Sequence, residues 1–309
     1  MHRLKNWHLF AICVLTWGTT WYAITFQLGH TTPEVGVALR FALAGSVILA
    51  MCVLRGLRLR FSLRDHGLLA LQGSFMYGVS YICVYHAERH IVSGLVAVGY
   101  SASPLVTGLG AHALFGLRVT VRFLIGGLLG LAGVALMFWT EFGKAAGSED
   151  AVLGAQFTIL AVLLSAVGSL AASRNRTHGL PFWPSLGFGM FYGAAITVVV
   201  ALVQGHSFAL PAAASWWLSL FYLALAGSVL TFACFLTLQE RIGPGPTATI
   251  GVMTPLLALL VSLAFENFQP DLLTLTGAGL AVAGNVLMLR LARHRLYRVR
   301  QNRLTSREK

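Results

Sequence analysis

The stretch "GGLLGLAGVALM" at residues 126–137 recurs as "GAGLAVAGNVLM" at residues 277–288, at an offset of 151 residues. Pro104 in "SASPLVTGL" and Pro255 in "VMTPLLALL" are separated by the same offset. "AERHIVSG" (87–94) also resembles "QERIGPGP" (239–246), at an offset of 152 residues. Self-similarity at a fixed period indicates a repeated structural unit. We therefore interpret the chain as a tandem duplication of one structural unit.

The composition places both units in a membrane. Of the 309 residues 57% are apolar and 10% are charged, and the mean hydropathy is +0.75. A soluble domain carries about 25% charged residues. A helix crosses the hydrocarbon core with about 20 apolar residues. We find ten such stretches, at 7–27, 35–54, 67–86, 91–114, 121–140, 152–173, 183–204, 216–238, 247–265 and 274–291.

The predicted fold is an all-α integral membrane protein with ten transmembrane helices, arranged as two inverted five-helix repeats. Five spans per unit is an odd number, so the second copy runs through the membrane in the opposite sense. We place the first repeat at 1–144, the second at 145–291 and a basic cytoplasmic tail at 292–309. Inverted repeats are typical of transporters, whose substrate site lies near the midplane between the halves.

Lysine and arginine predict the orientation. With the N-terminus inside, 19 of the 22 basic residues lie on the inner side, and only Arg89 and Lys144 lie outside. Positive residues accumulate on the cytoplasmic side, so both termini are expected to be cytoplasmic. The net charge of +12 then reflects topology and a tail near anionic lipid. The basic residues are scattered over separate loops, so we expect membrane lipid and no nucleic acid as a partner.

The segment "YHAERH" (85–90) raises the question of a metal site, because His86 and His90 share a helix face at a spacing of four. However, Glu88 and Arg89 have repeat mates at 240 and 241 without any histidine. We therefore interpret the segment as a helix–helix corner with interfacial histidines. No metal and no cofactor is expected. The four cysteines fall inside predicted spans and are expected to be free thiols.

Four segments resemble the EamA-type transporters of the drug/metabolite transporter superfamily, over essentially the whole chain. They are "LTWGTTWYAI" (15–24), "PEVGVALRFALAG" (33–45), "YHAERHIVSGLVAVGYSASPLVTGLGA" (85–111) and "ERIGPGPTATIGVMTPLLALLVSLAFE" (240–266). The resemblance implies a bacterial-type inner-membrane carrier that exports, or sometimes imports, small metabolites. It also implies that spans 1–4 and 6–9 surround a central cavity. Glu266 matches a glutamate that the family often has, whereas Gly116 stands at the corresponding place in the first half.

Aromatic and hydroxyl side chains within the spans are the substrate-binding candidates, since tyrosine hydroxyls facing lipid would be costly. Packing against a neighbouring helix is the alternative for all of them, and it is the commoner role for serine stripes. The candidates are Trp17, Thr20, Trp21, Tyr77, Tyr81, Tyr100, Ser103, Thr107, Ser165, Ser169, Met253 and Thr254.

Four further residues are candidates for gating. Arg40 is the one charge well inside a span, and Glu88 is among the acidic residues nearest to it. Arg40 serves either as part of an outer gate or in substrate contact. Pro104 and Pro255 each remove a helix hydrogen bond and provide either a moving hinge or a static kink.

Small residues four apart predict helix-packing faces in the fifth and tenth spans. They are Gly126 and Gly130 in the fifth span and Gly279 and Ala283 in the tenth.

These features predict a secondary-active transporter, exporting amino acids or related small metabolites by alternating access. A multidrug or organic-cation carrier is the alternative. An intramembrane enzyme or a structural membrane protein finds less support, because the sequence has no phosphate loop and no paired catalytic carboxylates. We expect a small-molecule substrate, and a monomer is compatible with the sequence.

The charge split leads to a labelling prediction. A cysteine at Gly205 should react with an impermeant maleimide added to intact cells, because the orientation places this residue outside. Ser62→Cys should react only after the membrane is opened. Labelling of Ser62→Cys in intact cells would overturn the predicted orientation.

Overall fold

The computed structural model describes residues 4–117, 119–144, 149–242, 247 and 250–305, with side chains other than those of 140–144, 239–240 and 289–305. The helices of the first half, α1 to α5, are Asn6–Thr25, Pro33–Leu54, Leu63–Glu88, Ser93–Phe115 and Val121–Lys144. Those of the second half, α6 to α10, are Glu149–Thr177, Phe182–Val203, 214–242, Ile250–Phe265 and Leu272–Thr305.

These helices overlap every predicted span. Within the described residues, seven helices, α2 to α8, are long and apolar enough to cross a membrane. Two shorter apolar helices are Ile250–Phe265 and the Leu272–Met288 part of α10, and α1 is a helix of 20 residues. The prediction of an all-helical membrane protein is thus confirmed for the described part of the chain. Ten crossings in two inverted units remain a prediction.

Two helices contain a π-helical segment, which the sequence did not predict. These are Ser74–Val79 in α3 and Tyr222–Leu230 in α8, and the 151-residue offset carries the first onto the second. In α8 two hydroxyls each donate to a carbonyl five residues back: Ser228 Oγ to Leu223 O at 3.0 Å and Thr231 Oγ1 to Ala226 O at 2.7 Å. Such bonds satisfy the hydroxyl donors inside the membrane, where no water is available to them.

Helices α5 and α10 approach each other through glycines. A Cβ atom on Gly277 would lie 2.6 Å from Gly133 O, and one on Gly133 would lie 2.4 Å from Gly277 O. About two turns along each helix from this pair, a Cβ on Gly284 would lie 2.4 Å from Gly126 O. The absence of side chains at these positions lets the two backbones touch, as small residues do at helix interfaces in membranes.

The contact corrects an interpretation of the sequence. The spacing of Gly126 and Gly130 and of Gly279 and Ala283 suggested the two packing faces. Gly126 does lie in the contact, but a Cβ on Gly279 would meet no packing neighbour within 4 Å in the described chain, and Ala283 is exposed. The α10 face that packs carries Gly277 instead. Both glycines fit a small-residue spacing, so sequence spacing alone did not distinguish the two faces.

The two glycines therefore form a matched pair for mutation. Gly277→Ala places a methyl group against a backbone oxygen, and we expect it to destabilise the protein by roughly 1–3 kcal/mol, the usual cost of overpacking. Gly279→Ala should leave stability unchanged. The apparent melting temperature in detergent, read from the monodisperse fraction, measures both. Equal melting temperatures for the two variants would contradict the described α5–α10 contact.

Candidate substrate cavity

A cavity of about 430 Å³ lies among α1, α3, α4, α8 and α9. Its volume falls within the usual range of small-molecule sites. The polar groups of its wall are hydroxyls and indole N–H groups, and none of the lining residues in the described chain is charged. The rings that line it are Trp17, Trp21, Tyr81, Tyr100 and Phe232, and the side-chain hydroxyls other than those of the tyrosines are Thr20, Ser103, Thr107 and Thr254.

Trp17 is held in place by α8. Its Nε1 donates to Gly227 O at 3.0 Å, and its ring lies 5.3 Å from that of Phe232, edge to face. Gly18 lets α1 come close to α9, because a Cβ there would lie 2.6 Å from Leu257 Cδ2. Trp17 therefore lines the cavity with its indole N–H already satisfied.

Further rings fix the opposite wall. The rings of Trp21 and Tyr100 are 5.2 Å apart, and Ser165 of α6 lies beside the Tyr100 hydroxyl. The Tyr81 ring packs edge to face on Phe41 at 4.7 Å. Pairs in these geometries are favourable beyond the area that they bury, so the cavity wall is built from rings supported by other rings.

The hydroxyl groups divide into two kinds. Thr20 Oγ1 donates to Trp17 O at 2.8 Å, and Thr254 Oγ1 donates to Ile250 O at 2.8 Å. These two can only accept a further hydrogen bond. Ser103 and Thr107 make no side-chain hydrogen bond within the described chain. Both hydroxyls can therefore donate to and accept from a solute.

Both predicted prolines lie in the cavity wall. In α4 a short 3₁₀ turn, Tyr100–Ala102, precedes the α-helical stretch Ser103–Phe115, which has Pro104 in its first turn. Pro255 lies inside α9. Each proline removes a backbone donor, so α4 and α9 are irregular at the depth where they meet the cavity.

The wall is built from equivalent positions of the two sequence units. The 151-residue offset relates four pairs of lining residues to one another: Tyr81 and Phe232, Tyr100 and Gly251, Ser103 and Thr254, and Pro104 and Pro255. Phe232 was not among the sequence candidates. Applying the offset to Tyr81 would have identified it.

Eight of the twelve substrate-binding candidates line this cavity, and the other four lie elsewhere. Tyr77 is buried and lines a separate cavity of about 180 Å³, which shares Phe232 with the central one. Met253 is 43% exposed on another face of α9. Ser165 reaches the site only through Tyr100, and Ser169 is half-buried on α6 outside the lining.

Carboxylates pair with histidines at the end of the bundle that the charge pattern predicts to be outside. Glu34 is 1% exposed; its Oε1 lies 2.8 Å from His86 Nε2 and its Oε2 lies 3.2 Å from His206 Nδ1. His90 Nδ1 lies 2.7 Å from Asp150 Oδ1. The two histidines of "YHAERH" thus have different partners. Among the described residues no group of three or more His, Cys, Asp or Glu side chains could hold a metal ion.

Another polar cluster joins α4 to α9 at the same end. Ser93 Oγ donates to Glu266 Oε2 at 2.8 Å, and Gly94 N donates to Ser262 Oγ at 2.8 Å. The hydroxyls of Ser93 and Ser262 lie 3.2 Å apart, and Ser262 donates to Glu266. Ser93 belongs to the first sequence unit and Glu266 to the second, so this cluster ties the two units together.

The two charged gating candidates are both buried near this end, 3% exposed for Arg40 and 7% for Glu88. The Arg40 guanidinium carbon lies 4.9 Å from the centre of the Tyr81 ring. Arg40 Nε and Nη1 and both carboxylate oxygens of Glu88 have no hydrogen-bond partner among the described residues. Their charges are close enough to interact.

Comparison with known proteins identifies the family. The model of the EamA-like transporter family matches residues 5–139 and again residues 152–290. The uncharacterized inner membrane transporter YedA of Escherichia coli strain K12 is 28% identical over 82% of this chain and 80% of its own length. Protein PecM of Dickeya dadantii is 24% identical over 85% of this chain and 84% of its own. One crystal structure has the same fold, with a TM-score of 0.66 at 22% identity over 93% of this chain and 96% of the other. With both halves matched over most of their length, the chain belongs to the EamA-like transporter family.

Proposed function

We propose that the protein is a secondary-active transporter of the inner membrane, with ten spans in two inverted five-helix units at 1–144 and 145–291. Both termini and the basic tail at 292–309 are cytoplasmic in this proposal. A small solute passes by alternating access through the central cavity. The transporter family and the membrane-spanning helices support it.

The observation that carries the proposal is the composition of the cavity wall. Four pairs of lining residues are related by the repeat offset, so each unit contributes equivalent positions to one central site. In inverted-repeat transporters the substrate binds at the interface of the repeats, and one repeat or bundle rocks against the other around it. A cavity belonging to one unit only would offer no such symmetric pivot.

The chemistry of the wall supports an amphipathic solute, and we propose export of amino acids or related small metabolites. Ring faces bind the apolar part, and the free hydroxyls of Ser103 and Thr107 bind a polar part. A multidrug or organic-cation carrier is the second candidate. It is favoured by the five rings in a wall without a charged residue, since ring faces attract cations.

Opening of the cavity to the outside would involve the gating candidates. Arg40 and Glu88 are buried near the end that the proposed orientation places outside. We propose that they become hydrated when it opens. Pro104 and Pro255 lie where α4 and α9 would bend, since a missing helix hydrogen bond lowers the cost of bending there.

Counterflow in proteoliposomes tests the proposed function. Vesicles with the purified full-length protein are loaded in turn with amino acids, organic amines and nucleosides, and uptake of the same labelled solute is followed. We expect uptake for at least one amino acid, with the solute recovered chemically unchanged. Uptake of amines alone would favour the second candidate. Chemical conversion without uptake would indicate an enzyme.

Tyr81 provides a test of the cavity in the same assay. Tyr81→Ala should weaken binding of the transported solute by roughly 1 kcal/mol or more, the scale of a lost aromatic contact. Tyr81→Phe should retain most of the affinity if ring contact dominates. Tyr77→Ala is the matched control, because Tyr77 lies one turn away on α3 but outside the cavity. It should lower the yield of folded protein and leave affinity in the remainder unchanged. Normal affinity in Tyr81→Ala would show that this cavity is not the substrate-binding site.

A further inference from the structure

The guanidinium of Arg40 is enclosed by residues of the cavity helices. It lies against the rings of Phe41 and Tyr81, 5.1 and 4.9 Å from the ring centres, and beside the Tyr85 hydroxyl. On the α8 side, Gly227 lies against both Arg40 and Thr20. A Cβ atom added to Gly227 would lie 3.8 Å from Arg40 Nη2 and 2.7 Å from Thr20 Cγ2. Thr20 and Tyr81 line the cavity, so the positive charge lies directly behind the cavity wall.

This guanidinium keeps free donors although it is almost entirely buried. Arg40 is 3% exposed, and its Nε and Nη1 donate to no group in the described chain. Burying a charge without hydrogen-bond partners is costly. Contacts with ring faces offset part of that cost, but they do not satisfy N–H donors in the plane of the guanidinium.

Nearby carboxylates do not accept hydrogen bonds from these donors. Both oxygens of Glu88 lack a hydrogen-bond partner among the described residues, so Glu88 accepts no hydrogen bond from Arg40. Glu266 is already bonded to Ser93 and Ser262, and Glu34 faces His86 and His206. A closed internal ion pair would instead join Arg40 to one of these carboxylates.

We propose that Arg40 is the carboxylate-binding residue of the transport site, so that the substrates are solutes that carry a carboxylate. The inference rests on the proposed transport function and adds a recognition element to it. A guanidinium presents a planar fork of donors that matches the two oxygens of a carboxylate. A carboxylate at the outer end of the cavity, between Thr20 and Tyr81, reaches the free donors once the Tyr81 ring turns aside. The rest of the solute then lies among the cavity rings.

Pairs of solutes that differ only in the carboxylate test this assignment. Phenylalanine and phenethylamine, and tryptophan and tryptamine, share the ring and the amino group. Equilibrium binding to the purified full-length protein and counterflow in proteoliposomes are measured for each. We expect the protein to prefer the acid of each pair. Arg40→Gln should weaken binding of the acid roughly tenfold or more, as for a lost charge-assisted hydrogen bond, and change binding of the amine by less than about twofold.

Three further variants separate recognition from structure. Arg40→Lys keeps the charge and should recover part of the preference for the acid. Arg176→Gln is the matched control, because Arg176 also lies over a ring, 5.2 Å from the centre of Phe182, but is exposed and lies outside the central cavity. Glu88→Gln should keep or raise affinity for the acid, since it removes a negative neighbour of Arg40.

Several results would overturn the assignment. Equal affinity of the unmodified protein for acid and amine would do so, even if both are transported, and so would binding of neither. Equal losses of acid and amine binding in Arg40→Gln, matched by Glu88→Gln, would indicate a structural ion pair. An effect of Arg40→Gln that disappears when chloride is replaced by gluconate would identify an inorganic anion as the ligand. Selective binding of the acid without counterflow would uphold Arg40 and reject the proposed transport function.

Discussion

Hydrocarbon offers no hydrogen-bond partner, and most of this structure follows from that constraint. Hydroxyls within the helices donate back to carbonyls of their own helix, as Thr158 does to Gly154 O and Thr197 to Gly193 O, both at 2.7 Å. With polar groups satisfied locally, helices associate by close packing. The glycine contact of α5 and α10 is one example. Groups that are not satisfied within their own helix, such as Arg40 and the hydroxyls of Ser103 and Thr107, are the candidates for function.

Much of the cavity could be predicted because the internal repeat is visible in the amino-acid sequence. Pro104 and Pro255 could be paired by their offset alone, and the rings of Trp17 and Tyr81 were candidates because ring-borne polar groups are costly in lipid. Tyr77 shows the limit of such reasoning. Residue spacing along a helix shows which side chains share a face of that helix. It does not show where along that face a cavity ends. The end of the cavity depends on α8, where Phe232 lines both cavities and Tyr77 lies on the side of the smaller one.

Other features could not be predicted because they depend on partners far away in the chain. His206 reaches Glu34 only because the connection between α7 and α8 passes the start of α2. The π-helical segments of α3 and α8 leave no mark in hydrophobic periodicity. Gly277 was missed as the contact residue of α10, since Gly279 fits a small-residue spacing equally well. In each case the local sequence pattern was sufficient to predict the helix. Which face of the helix packs, and against which residues, was determined by tertiary packing.

The proposed transport through the central cavity would require the outer end to open, and the contacts that join α4 to α9 at that end are of a kind that can be broken. Hydrogen bonds contribute roughly 0.5–1.5 kcal/mol each, and the Ser93, Ser262 and Glu266 cluster holds the two units together with a few of them. A disulfide between Ser93→Cys and Ser262→Cys, in a protein whose four native cysteines are replaced, tests this directly. The hydroxyls of the two serines lie 3.2 Å apart. Counterflow should stop when the pair is oxidised and return when it is reduced. Full-rate counterflow by the fully oxidised protein would contradict alternating access through this cavity.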